Sequence, residues 1–473
     1  MANASKQQTA AQPVSTEAPV ENGGILRLRI HLPAKLRNLE LVLLIFACIL
    51  NGLAVVLVQL GVLGEVQPEI IWMGGGVAVL AVGMHVALRF VAPDADPFIL
   101  PVATLLNGLG IAEIYRLDLA AKNTGWEADG IRQIVWTAIA LVIAFGVIVA
   151  IRNHRVLQRY RYIAMFTGIV LLLLPMLPVI GYEQFGARLW VRLGFFSFQP
   201  GELAKIALAI FFAGYLVQAR DSLSMVGRKF LGMRFPRARD LGPILVIWAA
   251  AMLVLIVQRD LGTSLLYFGL FLVMIYVATG RLSWVALGLG LFIGGAIAAG
   301  QLLNYVASRF DGWLNAFDQG VYDSFGGSYQ LVQGLFGLAH GGLIGTGLGQ
   351  GRPEVVPLAQ SDFIIASLGE ELGLAGLFAI FALYLILVSR GMRIGFAGQD
   401  DFGRLLGVGL SFVIALQVFI VVGGVTRVIP LTGLTTPFLA AGGSSLVANW
   451  IIVALLLRLS DTVRNQPRLV IGP

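Results

Sequence analysis

The residues best equipped for chemistry in this 473-residue chain are charged ones set into or beside long apolar runs. A charge at membrane depth is costly and persists where it is paired or used. Glu202 and Lys205 stand three residues apart after Pro200, so a helix carries carboxylate and ammonium on one face. Two readings are open: a buried structural pair, or a pair lining a cavity in which Lys205 reaches an anionic group. Arg259 and Asp260 interrupt two apolar runs, and Asp260 suits the N-cap of the second. Glu370 and Glu371 are adjacent and cannot share a helical face, so at least one points toward a polar interior. Arg427 reads as an arginine snorkelling from the end of a span. A long polar segment holds Asp311, Asp318 and Asp323. Arginines beside carboxylates suit an anionic, diphosphate-bearing lipid: cations neutralise the phosphates and a carboxylate takes a proton. The same physics suits a flippase or an ion-coupled transporter. His85 and His340 have no partner at metal-ligand spacing, and no P-loop, zinc motif or nucleophile elbow occurs.

The elements that carry these residues are membrane helices. The chain is 58% hydrophobic and 12% charged, about half the charged fraction of a soluble protein. Apolar blocks long enough to span a bilayer fall at 39–62, 70–92, 96–116, 131–151, 158–181, 200–218, 240–258, 260–279, 282–304, 362–390, 404–427 and 436–459. The expected fold is an all-α polytopic membrane protein of about twelve transmembrane helices. The break at 258–260 reads as a tight turn or a kink. Residues 1–24 are polar and read as a disordered cytoplasmic tail. Residues 25–130 hold a basic stretch and the N-terminal helices, 131–460 the transmembrane core, and 461–473 a second cytoplasmic tail.

Basic residues set the orientation. With the N-terminus inside, about 23 of the 33 Lys and Arg lie on the cytoplasmic side and about 10 outside. The inside set includes Arg27, Arg29, Arg152, Arg155, Arg228, Arg237, Arg239, Arg464 and Arg468. Both termini are therefore placed inside, and the long segment 305–361 is one extracellular loop. Its stretch Leu331–Leu343 is short for a span and reads as a re-entrant or interfacial helix. A second outer segment, 182–200, carries Arg188, Trp190 and Arg192. The net charge of +7 fits basic inner loops facing anionic lipid, and no nucleic-acid partner is expected. Cys48 is the only cysteine, so an intrachain disulfide is excluded.

Several segments, read in order, resemble the shape, elongation, division and sporulation (SEDS) family of peptidoglycan glycosyltransferases, the RodA/FtsW type. They are Gly186 to Arg192, Phe198 to Lys205, Asp260-Leu261-Gly262-Thr263-Ser264, and Tyr329-Gln330 with the glycines 341 to 349. Ser361-Asp362-Phe363, Gly369 to Gly373, Pro430 to Leu434 and Gly442-Gly443-Ser444-Ser445 complete the series. The N-terminal spans resemble those of actinobacterial RodA-type members.

The resemblance implies polymerisation of lipid II into β-1,4-linked glycan strands at the outer face of the cytoplasmic membrane. It implies a class B penicillin-binding protein as partner. The family's essential aspartate stands six residues before the Tyr-Gln pair, which here is Asp323, with Asp318 as competitor. Arg188, Arg192, Glu202, Lys205, Asp260, Tyr329, Gln330, Ser361 and Asp362 are the implied substrate-binding set. A divalent cation, Mg or Mn, is left open as an aid, since the sequence shows no cage of ligands for it.

Overall fold

In a computed structural model, residues 34–465 are described except 179, 185, 195, 225–228, 231–232, 235–241 and 325. The 1–24 tail, Arg27, Arg29, Arg228, Arg237, Arg239 and the end of the C-terminal tail with Arg468 lie outside the described residues.

Each expected block coincides with a helix, because an apolar run must bond its own backbone inside lipid. In chain order these are α1 (Ala34–Val62), α2 (Pro68–Val91), α3 (Ile99–Ala121) and α4 (Asp129–Ala150). After a short α5 (Arg155–Arg159) come α6 (Arg161–Leu173), α7 (Pro200–Ser224), α8 (Gly242–Gln258), α9 (Leu261–Thr279) and α10 (Leu282–Leu302). The long loop contributes α11 (Asn304–Leu314), α12 (Gln319–Tyr322) and α13 (Tyr329–Gly341). The chain closes with α14 (Ile364–Ala397), α15 (Asp401–Val425) and α16 (Gly443–Arg464). Among the described residues, nine helices are long and apolar enough to cross a membrane. Of the other expected spans, α6 and α8 are shorter, and α3 carries Glu113, Arg116 and Asp118.

The core lies around α16, which is largely buried by the other helices, whereas α1 and α2 keep most of their apolar residues on the outside of the bundle. α16 packs on α4, α14 on α15, α1 on α3 and α6 on α7. Trp248 of α8 and Phe268 of α9 line one pocket, so the break at 258–260 is a tight turn between antiparallel helices.

Two departures from an all-helical reading serve the loop end of the bundle. The segment read as an outer loop at 182–200 forms a three-stranded antiparallel sheet: β1 (Gly181–Gln184), β2 (Ala187–Leu193) and β3 (Phe196–Phe198). Also, α14 is broken at Gly373, where φ is 68° and ψ −175°. The backbone groups freed there are taken by the loop after α13. Thr346 N bonds Glu370 O at 3.0 Å, Gly347 N bonds Glu371 O at 2.9 Å, and Leu374 N bonds Gly342 O at 3.0 Å. Irregular backbone is tolerated at such a place because neighbouring protein satisfies it. A Cβ on Gly341 would sit 2.2 Å from Gly369 O, so this close approach requires glycine. Thus the stretch Leu331–Leu343 lies mostly in a helix seated against α14.

At the opposite end, His154 Nε2 bonds Asp400 at 3.0 Å and ties the α4–α5 turn to the start of α15. Burial alone would raise the Asp400 pKa. The His154 and Gly403 bonds and the nearby positive charges outweigh it and hold the group at about 2.

Candidate active site

The loop between α10 and α14 rests on a second apolar cluster made of Ala316, Leu331, Val332, Phe363, Ala366, Ile420 and their neighbours. Ser328, itself buried, donates from Oγ to Ala316 O at 2.6 Å and from its backbone N to Val321 O at 3.2 Å. These bonds close residues 316–328 into a turn. The turn carries α12 and presents Asp323 at its C-terminal end.

The two competing carboxylates are in different chemical situations. Asp318 is the N-cap of α12, with Oδ1 accepting from Gly320 N at 2.9 Å and Val321 N at 3.3 Å. Asp323 is exposed, and its Oδ2 accepts from Gln319 Nε2 at 2.7 Å. Its Oδ1 has no protein partner among the described residues. Tyr329 sits edge-on to Tyr322 with ring centroids 5.2 Å apart. Gln330 spends its amide on Pro357 O at 2.7 Å, which holds α13 to the stretch before α14.

A track of charges runs from the bundle core toward this loop. Lys205 Nζ lies 2.5 Å from Glu202 Oε2, 2.9 Å from Gln417 Oε1 and 3.4 Å from Asn449 Oδ1. An ammonium has three protons, and three protein acceptors take them. At 1% exposure, Lys205 has no donor left for a ligand, so the geometry favours the structural reading of the Glu202–Lys205 pair. Glu202 is within electrostatic reach of Asp260 and Tyr267, and Tyr267 bonds Gly201 O at 2.8 Å. Arg309 of α11 is within electrostatic reach of both Asp260 and Asp362 and donates to Leu431 O at 3.0 Å. Ser361 Oγ is 2.7 Å from Asp362 Oδ1.

Asp260 is the N-cap of α9, accepting from Thr263 N at 2.9 Å and from the Thr263 hydroxyl. Asparagine caps as well as aspartate, so Asp260→Asn is expected to keep stability within about 0.5 kcal/mol and Asp260→Ala to cost about 1 kcal/mol. Unfolding equilibria of the purified variants in micelles check this, and an asparagine variant as unstable as the alanine one would show that the charge, not the cap, matters.

In the sheet, the two-residue period puts Arg188, Trp190 and Arg192 on one face and buried Val191 on the other. Arg188 is more than half exposed and pairs with Glu183 at 3.1 Å. The Arg192 guanidinium stacks over the Tyr182 ring at 4.6 Å. The sheet leads into α7, and Gln199 N fixes the junction by bonding Ser444 Oγ at 2.9 Å.

The structure thus brings together Glu202, Lys205 and Asp260, and separately Ser361 and Asp362, with Arg309 joining the two groups. Asp323, Tyr329 and Gln330 sit on the loop above the second apolar cluster. Sequence reading missed Arg309, Gln417 and Asn449. The two amides were visible as polar residues inside apolar runs, but Arg309 lies in a polar loop where nothing marks it out. It also missed that Glu370 and Glu371 both face the loop. Glu370 Oε1 accepts from Arg352 N at 2.9 Å and faces His340 Nδ1 at 3.0 Å, while Glu371 bonds Arg116 at 2.6 Å and Gly349 N at 2.7 Å. Among the described residues, no group of three or more His, Cys, Asp or Glu is placed to hold a metal ion.

The family model described as cell cycle protein, covering FtsW, RodA and SpoVE, matches residues 97–465. The peptidoglycan glycosyltransferase RodA of Mycobacterium tuberculosis is 46% identical over 436 residues, covering 91% of this chain and 92% of the relative. RodA of Mycobacterium leprae is 43% identical over 467 residues, covering 97% and 95%. Stage V sporulation protein E of Bacillus subtilis is 35% identical, covering 77% and 96%. Among solved structures, one described as structural coordination of polymerization and crosslinking by a peptidoglycan synthase complex contains a similar chain. Its TM-score is 0.61 at 25% identity, covering 79% of this chain and 99% of that one.

Proposed function

The chain belongs to the FtsW, RodA and SpoVE family of cell cycle proteins, and from that premise we propose that Asp323 is the base of a glycosyl transfer that polymerises lipid II. The protein is a peptidoglycan glycosyltransferase and a multi-pass protein of the cytoplasmic membrane. The loop of residues 303–363 faces the outer side, where lipid II presents its disaccharide.

The observation that carries the residue assignment is the contrast between the two loop aspartates. Each leaves one carboxylate oxygen without a partner among the described residues, but Asp318 is fixed by two backbone N–H groups as the cap of α12, whereas the Asp323 carboxylate is held only by the Gln319 side chain and is exposed. In the step, Asp323 Oδ1 takes the proton of the acceptor sugar's 4-hydroxyl. The hydroxyl oxygen forms a bond to the donor's anomeric carbon, opposite the departing diphosphate. The carbon–oxygen bond to undecaprenyl diphosphate breaks, and the α-linked donor becomes a β-1,4 link. Charge builds on the leaving diphosphate, and arginine forks suit it better than point charges. Arg188 and Arg192 are the proposed partners. Lys205 and Glu202 act as a buried structural pair, and Asp260 and Asp362 are both within electrostatic reach of Arg309. A divalent cation, Mg or Mn, is a proposed aid: such an ion is commonly held by one or two carboxylates together with the substrate's phosphates, and among the described residues no group of three ligands would hold one by itself.

The proposed partner is a class B penicillin-binding protein, in keeping with the synthase complex that contains the similar chain. The direct experiment gives lipid II to the purified protein in liposomes, with and without that partner. Muramidase-sensitive glycan strands are the expected product. Transbilayer movement of lipid II with no polymer in either condition would make the protein a flippase instead.

A further inference from the structure

We infer that Arg427, at the C-terminal end of α15, is the positioning residue that clamps the base-bearing turn. This rests on the assignment of Asp323 as the base. α15 ends in a Schellman motif: Val428 N bonds Gly423 O at 2.8 Å and Arg427 N bonds Gly424 O at 3.2 Å. Arg427 occupies the left-handed position of that motif, with φ +59°. Glycine is the ordinary residue there, because a Cβ is strained in this conformation. An arginine held against that preference needs its side chain for something.

The side chain does not snorkel to water, as the sequence suggested. Its Nε donates to Trp313 O at 2.7 Å and its Nη2 to Leu314 O at 2.8 Å. The Trp313 indole returns a bond to Arg427 O at 3.0 Å. The guanidinium also lies over the Phe317 ring at 5.3 Å. One side chain therefore grips the end of α11 and the residues after it at three points.

From that grip, a succession of short backbone bonds follows the chain to the base. Asn315 N bonds Asp311 O at 2.8 Å, Asp318 N bonds Asn315 O at 2.9 Å, Tyr322 N bonds Asp318 O at 2.8 Å and Asp323 N bonds Gln319 O at 3.1 Å. α15 is one of the most deeply buried helices, so the clamp references Asp323 to the rigid core of the bundle. Misplacing a reacting group by about 1 Å costs on the order of 100-fold in rate.

Arg427→Gly separates this role from a purely structural one, because it relieves the left-handed strain while deleting the grip. The variant is expected to reconstitute as a folded protein and to polymerise lipid II with kcat lowered about 10- to 100-fold and KM within about twofold. Amide exchange should rise across 315–328 and stay unchanged in α7, α9 and α16. Arg427→Lys, which lacks the planar fork, should recover only part of the rate. A glycine variant with wild-type kcat, or with unchanged exchange at 315–328, overturns the inference. Asp323→Ala measured alongside tells the two failures apart. If it keeps its activity, the base assignment falls, whereas an inactive Asp323→Ala beside a fully active Arg427→Gly removes the clamp alone.

Discussion

Asp323→Ala is expected to lower lipid II polymerisation by about 100- to 10,000-fold, the range for loss of a positioned general base. The protein should remain folded, because the side chain is exposed and its only bond among the described residues comes from Gln319. Asp318→Ala behaves differently on physical grounds. It removes the N-cap of α12, so it should cost about 1 kcal/mol locally and slow the reaction through disorder of the turn rather than loss of the base. Replacing Asp318 with asparagine restores a cap and should restore most of the rate, whereas Asp323→Asn should not, because an amide cannot accept the proton. The measurement is the initial rate of glycan formation at saturating lipid II. Full activity in Asp323→Ala, or an asparagine variant at 323 that outperforms the one at 318, defeats the assignment.

What the sequence made legible follows from where its information is local. Apolar runs are read span by span, since each helix bonds its own backbone, and the helices lie where the runs do. The helix α13 was legible for the same reason, its apolar stretch being too short to cross. The sheet at 181–198 was hidden in plain view: Arg188, Trp190 and Arg192 alternate with Leu189 and Val191, a two-residue period inside a segment read as loop. The charged site was half legible. The Glu202–Lys205 pair declares itself by spacing, but its meaning depends on Gln417 and Asn449, which are 212 and 244 residues away from Lys205. Arg427 was misjudged because a basic residue at a span end usually reaches water, and only the fold shows backbone carbonyls of α11 waiting there. The sheet apart, what was missed is in each case a long-range pairing, which periodicity does not encode.

Arg116 illustrates how large such an unread pairing can be. It lies in α3 at 4% exposure and holds three groups at once: Glu371 Oε1 at 2.6 Å, Gly351 O at 2.5 Å and Glu354 Oε2 at 3.1 Å. Glu113, one turn earlier, is fully buried, and neither of its carboxylate oxygens has a hydrogen-bond partner. Removing one partner of a buried ion pair costs about 3–5 kcal/mol, because the other charge is left uncompensated. Arg116→Met is therefore expected to destabilise the protein by that amount, and Glu371→Met added to it should return most of the loss. The damage should spread to the loop, since Arg116 and Glu371 together hold Gly349 N and Gly351 O of the segment that leads back to α14. Unfolding equilibria of the single and double variants in micelles give the coupling directly. Additive losses would mean that the two side chains are independent, and that the loop is held by its backbone bonds to the broken helix α14 rather than by charge.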